Sequence, residues 1–154
     1  MPGEPARARH ETPNRTGWVL AATLALAMAC GGPPQPLEVP ASFPEAALTA
    51  VDSDAGALRI ELRSAPEPLV RGQNVGQIRV TDASGQPVDG LTMVLFPWMP
   101  SHGHSTSVQP AISPAGPGVF IAKPLYLFMA GQWELRMTFE GGVHDTATAI
   151  VDIP

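Results

Sequence analysis

Hydrophobic and polar residues alternate in short runs along the last two thirds of the chain. In LRIELR, residues 58–63, the aliphatic side chains fall on one face and the charged ones on the other. VGQIRVTD alternates in the same way through Ile78 and Val80. Each run predicts a β-strand with one buried and one solvated face.

The clearest alternation lies near the C-terminus, in GQWELRMTFE at 131–140. A Gly-Gly turn follows it, and VHDTATAIVDI at 143–153 predicts a partner strand, so the two form a hairpin. LTMVLFPW, 91–98, is apolar on both faces, which predicts a central strand covered on both sides. We expect QPAISPAGPG, 109–118, to be a loop, and VFIAKPLYLF, 119–128, to be a strand broken at Pro124.

These runs predict about seven short strands and no amphipathic helix. The 15 Gly and 18 Pro of the 154 residues also favour turns over long helices. We therefore expect an all-β fold, an immunoglobulin-like antiparallel β-sandwich. The predicted core is Leu58, Ile60, Ile78, Val80, Leu95, Trp133, Leu135, Met137, Phe139 and Val151.

The N-terminal residues predict export. Three arginines precede a twelve-residue apolar run, 18–29, which is too short to span a bilayer and ends at Cys30, the one cysteine of the chain. LAMAC resembles a bacterial lipobox, so we expect residues 1–29 to be a lipoprotein signal peptide and Cys30 to be lipidated. Residues 30–46 are rich in proline and predict a linker, with the β-sandwich domain at 47–154. Gly31 after the cysteine favours the outer membrane over the inner one.

The charge restricts the partners. From Cys30 onward six Lys and Arg stand against twelve Asp and Glu. An acidic exported chain is a poor nucleic-acid binder, and anionic lipid repels it, so we expect membrane contact through the lipid anchor alone.

The segment MPSHGH at 99–104 carries the candidate chemistry. Residues two apart on an extended chain point to the same side, so His102 and His104 could present two imidazoles together. Met99 is close in sequence, and Met129 could approach from a neighbouring strand. With no thiol after Cys30, a soft metal would be held by imidazole and thioether, a donor set that suits copper. The predicted metal residues are therefore His102, His104, Met99 and Met129, with His144 as a surface residue.

MPSHGH and LFMAGQWELRM at 127–137 resemble the YtkA-like and FixH-like families of small exported β-sandwich proteins, over roughly residues 62–153. The resemblance implies copper handling or haem–copper oxidase assembly, with an envelope protein such as a copper-receiving protein as partner. Relatives often place a second methionine directly before the first histidine, where this chain has Ser101.

Two functions of different class remain open. The first is a lipid-anchored copper-binding or copper-delivery domain. The second is a metal-free envelope interaction module, in which the histidines lie in a solvated loop and the methionines fill the core. We expect no enzymatic activity, because Thr106 replaces the aspartate of a metallo-hydrolase HxHxD motif and no nucleophile elbow is present.

Overall fold

The computed structural model of the protein describes residues 36–154. The predicted signal peptide, the lipidation of Cys30 and the first part of the linker lie outside the described residues. Within 36–154 the chain forms strands and turns without a helix, and hence has no helix that could span a membrane.

Nine strands make up the described part of the chain. They are β1 (Thr49–Asp52), β2 (Leu58–Ala65), β3 (Gly72–Asp82), β4 (Thr92–Met99), β5 (His104–Ser105), β6 (Ala111–Gly116), β7 (Val119–Leu127), β8 (Gly131–Glu140) and β9 (Asp145–Ile153).

The strands form two antiparallel sheets, one ordered β1-β2-β3-β7-β6 and the other β5-β4-β8-β9. Their inner faces enclose a single core, and buried side chains alternate with less buried ones most regularly in β4, β8 and β9. The prediction of an all-β sandwich is confirmed.

Every residue predicted for the core is buried. Trp133, Leu135 and Phe139 have no exposed surface, because β8 lies at the centre of the four-stranded sheet and faces the opposite layer. The indole nitrogen of Trp133 donates a hydrogen bond to the Met129 carbonyl at 3.0 Å, so its polar group is satisfied inside the core. The predicted hairpin is also present, with β8 and β9 paired from Gly131↔Ile153 to Phe139↔Asp145.

Three predictions about individual strands were wrong. The 91–98 strand is not covered on both sides, because Val94 is 65% exposed and Phe96 is 38% exposed on the outer face of the four-stranded sheet. The 109–118 segment is not entirely a loop, since β6 pairs with β7 as the edge strand of the larger sheet. β7 continues through Pro124, and the proline is accommodated by a local register shift opposite β3.

The register places the connections at two opposite ends of the sandwich. The end formed by residues 66–71, 100–103 and 128–130 is called the histidine end here, and the end formed by residues 53–57 and 141–144 is called the hairpin end. At the hairpin end, the amide of Ala55 donates to Asp145 Oδ1 at 3.1 Å, and the amide of Asp54 donates to the Thr146 carbonyl at 2.7 Å. These bonds join the β1–β2 turn of one sheet to the first residues of β9 in the other.

The chain reaches the sandwich beside the histidine end. The buried guanidinium of Arg63 donates to the carbonyls of Pro44 and Glu45 at 2.9–3.2 Å, and the amide of Leu48 then donates to the Leu62 carbonyl at 2.7 Å. The last residues of the predicted linker are thereby fixed to β2 before β1 begins.

Candidate metal-binding site

The histidine motif forms the tight turn between β4 and β5. The Met99 carbonyl accepts hydrogen bonds from the amides of His102 at 3.2 Å and Gly103 at 2.9 Å, and His104 then pairs with Met99 across the two strands. The Ser105 hydroxyl donates to the Pro97 carbonyl and fixes the return strand. A loop of four residues is thus held on both sides by backbone bonds.

The two imidazoles lie together, with ring centroids 5.6 Å apart and ring planes inclined at 49°. The reason differs from the one expected from the sequence, because residues 100–103 form a turn and not an extended chain. Gly103 has a φ of 66°, in the left-handed region that glycine adopts without strain, and this reverses the chain between the two histidines.

His102 and His104 differ in their surroundings. His102 is exposed, and no hydrogen bond among residues 36–154 holds its ring nitrogens. His104 is half-buried, its Nδ1 lies 3.1 Å from the Ser105 carbonyl, and its ring stacks on Phe128 at 5.7 Å with planes only 15° apart. One imidazole is therefore held from two sides and the other is free to turn.

The two methionines named from the sequence also lie at this end of the sandwich. Met99 is almost completely buried, at 1% exposure, and its methyl group packs close to Gly131 at the start of β8. Met129 is partly buried against the core and directly follows Phe128 in the β7–β8 connection. The fold thus gathers the four predicted residues at one end, with the imidazoles at the surface and the thioethers packed towards the core.

A shallow depression of about 400 Å³ adjoins the site. Its lining residues are His104, Ser105, Ser107, Tyr126 and Phe128. Tyr126 and Phe128 stack at 6.1 Å, so an aromatic surface extends from the histidine turn along the end of β7.

His144 lies in the β8–β9 turn at the hairpin end, far from the other two histidines. Its Nδ1 is 2.8 Å from Glu140 Oε2, and this hydrogen bond together with the carboxylate charge raises the pKa of His144 above its usual value. Because the side chain is exposed and distant, it is a natural control for experiments on the histidine turn.

Sequence reasoning missed Phe128 and Tyr126 as part of this site. In the sequence they are only the less buried residues of the alternation Leu125, Tyr126, Leu127, Phe128, at the end of β7 and the start of the β7–β8 connection. The stacking of Phe128 on His104 joins positions more than 20 residues apart, and the sequence pattern carries no signal of that pairing.

The donor set fits copper better than zinc. Within residues 36–154, no three His, Cys, Asp or Glu side chains come together in a group that could hold a metal ion. Structural zinc requires four nitrogen, sulfur or oxygen ligands, whereas copper(I) accepts few soft donors such as imidazole and thioether. Imidazole and thioether are a donor combination that suits copper(I) more than a structural zinc ion.

The fold and the turn define a small β-sandwich with a histidine-bearing loop at one end. The YtkA-like family matches residues 52–138, and the chain belongs to this family. No match was found among curated proteins. A solved structure described as the Lin-41 filamin domain is similar at 18% identity and a TM-score of 0.42, covering 68% of this chain and 98% of that one.

Proposed function

We propose that this protein is a lipid-anchored envelope protein that binds copper through His102 and His104 and delivers it to an envelope partner. Met129 and Met99 are the additional thioether donors. The observation that carries the proposal is the convergence of two imidazoles, 5.6 Å apart, on an exposed turn held by the backbone of β4 and β5.

The surroundings of the turn also support binding and release over catalysis. The imidazoles lie at the surface, so a partner could reach a metal held there without unfolding the sandwich. Copper, when bound, would supply a soft cation with open coordination positions that a partner's own ligands could occupy. We propose no enzymatic reaction.

The test is a titration of the purified protein with copper(I) under reducing conditions and with copper(II) under oxidising ones. We expect His102→Ala and His104→Ala each to weaken copper(I) binding by at least about tenfold, since each removes one of few donors. His144→Ala should bind as the wild type does. Binding should also weaken on acidification, because a protonated imidazole has no lone pair for the metal.

The thioethers need a control for packing, because methionine also fills cores. We expect Met129→Leu and Met99→Leu to weaken copper(I) binding more than copper(II) binding. Met93→Leu is the matched control, since Met93 is a buried methionine of the same strand as Met99 but lies near the hairpin end. No copper uptake in either oxidation state, or normal uptake by the His102/His104 double variant, would overturn the copper proposal.

A metal-free interaction module is the second candidate function, and the exposed face of the four-stranded sheet favours it. Val94, Phe96 and Ile150 lie there with more than a third of their surface exposed. A photo-crosslinking residue at position 94 should then give a defined adduct in cells, whereas one at Ser84 in the β3–β4 connection should not. Equal labelling at both positions would count against this function.

A further inference from the structure

Phe128 occupies an unusual place for a large apolar side chain. It is 38% exposed, yet its ring makes three aromatic contacts: with His104, with Tyr126, and edge-on with Trp133 at 5.7 Å. Trp133 is fully buried and bonded to the Met129 carbonyl, so it cannot easily shift. Phe128 thus connects a rigid core residue to the ring of His104.

The contact between His104 and Ser105 determines which ring nitrogen carries the proton. A backbone carbonyl can only accept a hydrogen bond, so Nδ1 of a neutral His104 must be the protonated nitrogen. The lone pair then resides on Nε2, and a metal can bind only there. In metal-binding histidines, the ring nitrogen that does not bind the metal usually donates its proton to a carbonyl, a carboxylate or water.

We propose that Phe128 is a positioning residue which, together with the Ser105 carbonyl, prepares His104 to bind metal through Nε2. This inference rests on the proposed copper function. The stacking fixes the plane of the ring, and the hydrogen bond fixes its rotation and tautomer. His102 lacks both restraints and adjusts its ring to the metal, so the site has one preset ligand and one adaptable ligand.

The tautomer can be measured without any metal. Histidine ring 15N shifts of the full-length, metal-free protein in detergent, at a pH where the rings are neutral, should give His104 with a proton on Nδ1. His102 should be a mixture of both tautomers. In Phe128→Leu, His104 should lose its ring-current shift and should move towards a mixture, whereas Phe128→Tyr, which retains a ring, should keep both properties.

The copper affinity gives the second readout. We expect Phe128→Leu to weaken copper(I) binding by about tenfold, the lower range for partners that orient a metal ligand. Phe96→Leu is the matched control, because Phe96 is also 38% exposed but lies on the outer sheet face and contacts Trp98. It should leave the affinity and the His104 shifts unchanged. Copper(I) is diamagnetic, so in the loaded protein the large 15N change should fall on Nε2 of His104.

Several results would overturn the inference: a proton on Nε2 of His104, a copper-induced change on Nδ1, or wild-type tautomer and affinity in Phe128→Leu. If Phe128→Leu does not fold, the inference is still tested by the His104 tautomer in the wild type and in Phe128→Tyr. If the wild type binds no copper while His104 keeps its Nδ1 proton, the proposed function fails and the positioning of the ring stands. The two failures are therefore distinguishable.

Discussion

Gly103 determines the relative placement of the two histidines at the scale of single residues. Its φ of 66° reverses the chain between the imidazoles, and a β-carbon there would meet no other atom within 4 Å. The requirement for glycine at this position is therefore conformational and does not arise from crowding.

We expect Gly103→Ala to cost about 1–2 kcal/mol of unfolding free energy and to weaken copper(I) binding, because alanine disfavours the left-handed region. Gly103→Asn should cost less, since asparagine visits that region more readily. Chemical unfolding and copper titration check both variants. Gly142→Ala is the control, as that glycine has open space and no left-handed φ. A Gly103→Ala variant with wild-type unfolding free energy and copper(I) affinity would show that glycine is not required at this position.

Trp133 is the residue on which the core and the site both depend. It has no exposed surface, donates to the Met129 carbonyl, and supports Phe128 edge-on. We expect Trp133→Ala to lower the unfolding free energy by roughly 3–5 kcal/mol, because it leaves a large cavity. Trp98→Ala on the outer face should cost clearly less in the same urea titration. Equal losses would contradict the assignment of Trp133 to the core.

At the scale of elements, the sequence predicted those strands whose two faces differ. In β8 every second residue from Trp133 to Phe139 is apolar, and that contrast predicts both the strand and its buried face. In β4, Val94 and Phe96 are apolar but exposed, so the apolar pattern predicted a second covered face that residues 36–154 do not provide. β6 contains Ser113, Pro114 and Gly116, and it is a strand because β7 offers it an edge to pair with.

The candidate site was predictable to a similar degree. His102 and His104 were predicted as candidates from their residue types, their spacing and the family resemblance, but the turn that brings them together depends on the pairing of β4 with β5. Phe128 joins them through tertiary contact, which no local pattern encodes. The candidate residue types can thus be predicted from the sequence, whereas the orientation of each ring depends on tertiary contacts in the folded sandwich.

The link between the two sheets at the hairpin end gives a prediction about pH. The Ser53 hydroxyl and the amides of Ala55 and Thr146 hold the pKa of Asp145 below its usual range. A carboxyl whose pKa is lowered by folding contributes stability above its unfolded pKa of about 3.9, and this is lost as pH falls through the folded value. We expect Asp145→Ala to lower the urea midpoint at pH 7, with a smaller difference from the wild type at acidic pH, once the carboxyl is protonated in the folded protein.

Asp152→Ala is the control for this prediction, because Asp152 is an exposed residue of the same strand. Its urea midpoint should remain near that of the wild type at both pH values. A difference between Asp145→Ala and the wild type that grows on acidification would contradict the sign of the effect.

At the scale of the whole molecule, the described domain contains no cysteine, and Cys30 precedes it. If the lipobox resemblance is functional, this residue carries the lipid and the folded domain is free of thiol chemistry. We expect labelled palmitate to enter the wild-type protein and not Cys30→Ser, and the variant to leave the membrane fraction. Equal incorporation into both proteins would disprove the anchor.

The hydrogen bonds from Arg63 to Pro44 and Glu45 limit the length of free chain between Cys30 and the folded domain. The 14 residue-to-residue steps from Cys30 to Pro44 can span at most about 48 Å, and Pro44 joins the sandwich beside the histidine end. The opposite end lies farther along by about the length of β8, roughly 34 Å. If Cys30 is the attachment point, this tether length sets an upper limit on how far the end of the linker at Pro44 can lie from it.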